Sequence, residues 1–340
     1  MARKKKSKGR KAPSRRRALK LGVASAVFIG VWGLCGEWFV HHPREWFDDC
    51  RFPKPIATSL FWIGNPLADL TDAIGLTGHD AVYEYDTEAP SGTVTFGGLP
   101  RRVGAPAPDD IRILKRGEFV IGWSDKLRHP LWCAYHVIPE ARYDVGDRPG
   151  FVKDRSLARS PVANDYTKSG YDRGHMAPNY AIATRYGDEE RRKTFMMSNV
   201  APQSPALNRG VWRDVEHRIA DLWTARYGEI WVVVGCIPGN GEVISGTGID
   251  VPTGFYQIII AQENMDVRAL AVLFEQNVGW NEWAARHIVS IDRIEELTGL
   301  DFNPDVPGFL QDPLEAEIPS RLWPIRKRDL LGLFALRFTR

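Results

Sequence analysis

Apolar positions recur along this chain in two rhythms. Short runs rich in β-branched and aromatic residues, bounded by turn formers, predict strands over Gly117–Trp123, Leu131–Ile138, Glu229–Gly235, Phe255–Ala261 and Arg268–Phe274. Asp125–Pro130 reads as the turn between the first two. Helical spacing is rarer. Trp212, Val215, Ile219 and Leu222 stand at i, i+3, i+7 and i+10, an apolar stripe on a helix that Ser204 caps and Pro205 opens. At roughly 100° per residue Asn208 falls on that stripe and Glu216 on its edge. A buried amide needs a partner, since leaving one unsatisfied costs roughly 1–3 kcal/mol, and either a backbone group or a metal ion would serve. Shorter helices are expected behind Asp188 through Met197, and over Ser290–Gly299 with a Ser cap and a Gly stop. The glycine-rich stretch 239–248 is followed by neither Lys-Ser/Thr nor a helix, so it reads as a hairpin or surface loop. Strands flanking a few helices, without internal repeats, predict an α+β domain with a central, mostly antiparallel β-sheet flanked by helices.

Composition adds a globular body and a separate front end. The 340 residues, 44% hydrophobic and 11% aromatic, are ample for a core. The formal charge of +3 averages two unlike parts: residues 1–20 hold eleven Lys and Arg and no acid, leaving 34 bases against 42 acids elsewhere. An acidic body that holds nucleic acid must do so through a local basic groove. Residues 21–40 are apolar apart from Glu37 and, behind the basic 1–20, read as a signal-anchor or export signal. Ser14–Lys20 resembles a twin-arginine signal with Ala18 where an aromatic is more usual, and no clean small-x-small cleavage site follows. The charge bias predicts a cytoplasmic N-terminus and a membrane-anchored, extracytoplasmic body, secreted if the leader is cleaved. Residues 41–90 read as a juxtamembrane connector, 91–305 as the main domain and 306–340 as a C-terminal extension in which Leu330–Leu336 is too short to span a bilayer. Of the four cysteines Cys35 lies in the apolar run, and Cys50, Cys133 and Cys236 allow at most one internal disulfide. His41-His42 reads as interfacial surface, and no Cys/His spacing suggests zinc.

Candidate chemistry lies in three ordered blocks. Tyr171–Asn179 holds Asp-Arg-Gly-His in a polar, turn-prone setting, where His175 would be expected to be wet and to change charge between about pH 5 and 8. Ser198–Gln203 follows, and then Leu207-Asn208, with Trp212 four residues and Glu216 eight residues after the Asn. Together these blocks resemble the DNA/RNA non-specific endonucleases, the His-Me-finger or ββα-metal family that includes endonuclease G, over roughly residues 90 to 305.

The resemblance implies a ββα-metal finger, with His175 as general base, Asn208 as the one direct protein ligand to Mg²⁺ (Mn²⁺ as a substitute) and Glu216 holding metal-bound water. It further implies that Arg173 braces the site or touches phosphate, that Asn199 orients the water or the His loop, and that Arg148 binds phosphate. Asp172 would fix the turn and Gly174 let the backbone bend beside the His. One departure stands out: some relatives carry a second Arg a turn after the Glu, where this chain has Ala220, with Arg218 nearby. The implied activity is metal-dependent hydrolysis of DNA and RNA with little sequence preference. Two other readings share the residues: a phosphodiesterase on nucleotides or small diesters, and a catalytically inactive, membrane-anchored nucleic-acid-binding module. The sequence leaves oligomeric state open, a homodimer included.

Overall fold

The computed structural model describes residues 83–84, 94–263 and 266–325. The basic leader, the apolar run, His41-His42, Cys50 and Leu330–Leu336 lie outside them. Among the described residues no helix is long and apolar enough to cross a membrane.

The strands are β1 (Tyr83–Glu84), β2 (Arg101–Arg102), β3 (Ile111–Lys115), β4 (Phe119–Ser124), β5 (His129–Val137), β6 (Asp172–His175), β7 (Val200–Gln203), β8 (Ile230–Ile237), β9 (Val243–Ile244), β10 (Ile249–Asp250), β11 (Gly254–Glu263), β12 (Asp266–Glu275), β13 (Ile288–Val289) and β14 (Leu300–Asp301). The helices are α1 (Asn179–Tyr186), α2 (Asp188–Thr194), α3 (Pro205–Arg209), α4 (Val211–His217), α5 (Thr224–Tyr227), α6 (Ile291–Thr298) and α7 (Gly308–Ala316).

One antiparallel sheet in the order β1-β12-β11-β8-β5-β4-β3 forms the centre, with β13 beside β12. All five expected strands are in it. Their side chains alternate between two cores. Cys133, Tyr135, Val232, Val234, Phe255 and Ile259 meet Met176, Leu207, Trp212, Val215 and Ile219 on one face. Trp132, Ala134, Trp231, Tyr256 and Ile258 meet Ile291, Ile294, Phe302 and Leu314 on the other. Because both faces are covered, β5 is buried at all nine positions and reads in sequence as a nearly unbroken apolar run. The glycine-rich stretch is a hairpin, β9 paired with β10.

Three expectations change. The helix expected through Met197 ends at Thr194, and Gly187, not Asp188, stands at its cap; Asp188 instead pairs with Arg192 at 2.9 Å. The chain leaves the helix there because Phe195 and Met197 are fully buried, and the Phe195 carbonyl accepts from Val152 N at 3.0 Å. The helix after Ser204 is interrupted at Gly210, where a Cβ would stand 2.2 Å from the Ala206 carbonyl oxygen, and is π-helical over Arg218–Trp223. The packed body also continues past residue 305. Leu314 joins the second core, Trp323 and Ile325 join the first, and the Trp223 indole donates to the Trp323 carbonyl at 2.9 Å. Cys133 and Cys236 are buried free thiols, so the two do not pair.

Candidate active site

β6 and β7 pair antiparallel, with His175 opposite Val200 at the end of the ladder, and β7 runs through Ser204 into α3. Ser204 Oγ accepts from Leu207 N at 3.3 Å and Pro205 supplies a preset φ, so the helix start is written locally. One carboxylate ties this strand pair to the helix. Asp172 accepts from Asn208 Nδ2 at 2.9 Å and from Arg209 Nε and Nη2 at 2.7 and 2.5 Å. Burial pushes its pKa up, but the Arg209 and Asn208 hydrogen bonds outweigh burial and hold the carboxyl below its usual range. With the amide nitrogen engaged by Asp172, the Asn208 carbonyl oxygen is left for another partner.

His175 is packed between aromatic rings, 5.1 Å from Phe151 and 4.9 Å from Phe195 between centroids. Its Nε2 is buried and has no hydrogen-bond partner. Burial, then Arg148 and Arg173, push its pKa down to about 3. The expected charge change between about pH 5 and 8 is therefore corrected: the half-buried imidazole, still on the cleft, is held neutral by apolar neighbours and two guanidiniums.

Glu216 lies one helical turn beyond Trp212, whose indole Nε1 donates to Glu216 Oε1 at 2.9 Å. Burial pushes this carboxyl up to about 8, with Trp212 and Arg213 opposing. His175, Asn208 and Glu216 line one cleft of about 230 Å³, together with Arg148, Tyr180, Arg213 and His217.

The conserved-pattern model of the DNA/RNA non-specific endonucleases matches residues 100–309. The chain belongs to that family. As such it is a nucleic-acid-hydrolysing enzyme. A nuclease of Nostoc sp. is 27% identical over 226 residues, 63% of this chain and 80% of that protein. The mitochondrial nuclease EXOG of Xenopus laevis is 29% identical over 198 residues, and this chain spans about half of it, 54%. The solved EndoG/EndoGI complex, which concerns the inhibition of EndoG, gives a TM-score of 0.54 at 25% identity over 61% of this chain and 91% of that one.

Within this endonuclease fold, the residues singled out from sequence separate into cleft and support. Arg148 is exposed at the cleft, its guanidinium 5.8 and 5.5 Å from the Phe151 and Phe195 ring centres. Arg173 is not among the cleft residues; it lies 5.0 Å from the Phe151 ring centre and donates to the Ala163 carbonyl at 3.1 Å, which is bracing. Asn199 is fully buried and clamps the loop after His175: Ala177 N donates to its Oδ1 at 2.8 Å, and its Nδ2 donates to the Ala177 and Thr194 carbonyls at 3.0 and 2.9 Å. Of its two expected jobs, these bonds serve the loop. Ser198 beside it donates to Asp154 Oδ2 at 2.6 Å.

Asp172 fixes the helix to the strand rather than a turn. Gly174 gives room rather than a bend, since a Cβ there would meet the buried Gln203 side chain at 2.1 Å. Asn208 and Glu216 do not share one continuous stripe, because Gly210 divides α3 from α4. Ala220 and Arg218 are both buried and line no part of the cleft. Sequence reasoning missed Arg213, His217, Tyr180 and the Trp212 hydrogen bond. Arg213, Glu216 and His217 at i, i+3 and i+4 were a legible signal, one helix face carrying three charged or polar groups.

Proposed function

We propose that this protein is a Mg²⁺-dependent endonuclease that hydrolyses phosphodiester bonds of DNA and RNA without regard to sugar or sequence, with His175 as general base. The observation that carries this reading is that one cleft is lined by His175, whose Nε2 has no hydrogen-bond partner, by Asn208, whose amide nitrogen is engaged by Asp172, and by Glu216. One amide oxygen and one carboxylate are too few for an all-protein cage, and suit a cation that keeps most of its own waters. Asn208 would hold it directly and Glu216 through water; when bound it relieves charge on the phosphate and on the leaving oxygen. A Glu216 carboxyl raised to about 8 fits the same assignment, since a nearby cation favours its charged form.

His175 is neutral, and so able to accept a proton, throughout the ordinary pH range. Its basicity is weak in the empty cleft because burial and the Arg148 and Arg173 charges oppose protonation. A phosphate bound at Arg148 offsets one of those charges and raises the imidazole toward the range where proton removal from water is efficient. Arg148 by His175 and Arg213 by Glu216 serve as two phosphate arms; contacts to backbone position a strand without reading its bases. The basic leader and apolar run support an extracytoplasmic, membrane-anchored body, tested by whether protease added to intact cells digests it.

Purified protein is incubated with supercoiled plasmid or structured RNA, in Mg²⁺ or in EDTA, beside His175→Ala. Cleavage of both polymers that EDTA abolishes and His175→Ala lowers by roughly 10²–10⁴-fold is expected. A folded wild type inert toward both with Mg²⁺ and Mn²⁺ refutes the reading.

A further inference from the structure

Tyr180 is the second residue of α1, on the wall of the cleft that holds His175, Asn208 and Glu216. Its hydroxyl donates to Asp221 Oδ1 at 3.0 Å, and its ring stands 5.5 Å from the His217 ring at 47°. Those contacts hold the side chain in place, yet 37% of the residue stays exposed and it joins none of the buried cores. A tyrosine that only closed the packing between two helices would bury its ring. This one is held and left open.

A strand whose scissile phosphate lies between His175 and Asn208 carries a base on either side of that phosphate, beside this wall. The geometry points to a nucleobase-stacking subsite, formed by the Tyr180 ring and backed by His217, for an unpaired base next to the scissile phosphate. Every base has a π-face, so such a platform adds affinity without choosing sequence. A base in a duplex has both faces covered and must first be unstacked. The subsite therefore favours single strands and loops over duplex. It rests on the nuclease reading above.

The test uses the full chain and single-stranded DNA in which one linkage is flanked, on one side or the other, by an abasic residue. Cleavage at that linkage is resolved by product length for wild type, Tyr180→Phe and Tyr180→Ala. For the side that stacks, removing the base slows wild type ~5- to 150-fold, the range expected for one stacked base. Tyr180→Ala slows the intact strand by a similar factor and is slowed no further by the abasic residue, while Tyr180→Phe behaves as wild type. Wild type cutting both abasic linkages as fast as the intact one overturns the subsite, whether or not Tyr180→Ala folds. So do losses that multiply, or a Tyr180→Phe as slow as Tyr180→Ala, which would assign the effect to the Asp221 hydrogen bond. In each of those cases wild-type cleavage leaves the nuclease reading standing; a wild type that cuts no polymer overturns both.

Discussion

Replacing Glu216 by Gln should stabilise the metal-free protein, and only at higher pH. The carboxyl stands at about 8 in the folded chain against an ordinary 4.5, chiefly because it is buried. The native state therefore holds its proton more tightly than the unfolded chain does. The stability this contributes is fully present below about pH 4.5 and is lost as pH rises through about 8. The two values lie 3.5 pH units apart, and at ~1.36 kcal/mol per unit the upper bound is ~5 kcal/mol. The cleft admits water to part of this side chain, so about 2–4 kcal/mol is the working expectation. Gln keeps an acceptor for the Trp212 indole and has no charge to bury. Urea unfolding of EDTA-treated wild type and Glu216→Gln from pH 5 to 9 reads the difference. Glu315 and Glu295, raised by burial to about 8 and about 7, titrate in both proteins and cancel. The variant should match wild type near pH 5 and exceed it increasingly to pH 9, with Mg²⁺ narrowing the gap by favouring the ionised carboxyl. Parallel curves across the range would show that Glu216 ionises freely, and the cation assignment would lose its electrostatic support.

Asp172→Asn removes the carboxylate that orients Asn208, and should weaken the Mg²⁺ dependence of cleavage about 10–100-fold; an unchanged Mg²⁺ titration would show that the amide orients itself. Asn199→Ala deletes three buried hydrogen bonds and leaves backbone groups unpaired, so a loss of about 2–4 kcal/mol is expected in chemical unfolding. A loss under about 1 kcal/mol would mean that the loop after His175 does not depend on that clamp. Arg148→Ala and Arg213→Ala should each reduce the salt slope of binding by about one, for single and double strands alike. A slope unchanged in Arg213→Ala would remove it from the phosphate arms.

The strand runs, the Ser204-Pro205 and Ser290 helix starts and the Gly299 stop (φ 69°) were legible because each is decided within a few residues. The order of the three blocks identified the family, and His175, Asn208, Glu216 and Arg148 do line one cleft. What local pattern could not give was environment. A Phe at 151 and another at 195 are far from His175 in sequence, and only folding packs them against it and turns a polar-looking loop histidine into a neutral, half-buried one. Whether Asn199 faces water or backbone, and whether Asp172 bonds a turn or a helix, depended likewise on which distant groups arrive. At the Gly210 break a Cβ would run into the Ala206 carbonyl, a close approach that no apolar periodicity encodes. Periodicity, caps and motif order are short-range and were fixed by the chain itself; burial, pKa and the division between cleft and support are sums over neighbours, and only the tertiary structure chose those neighbours.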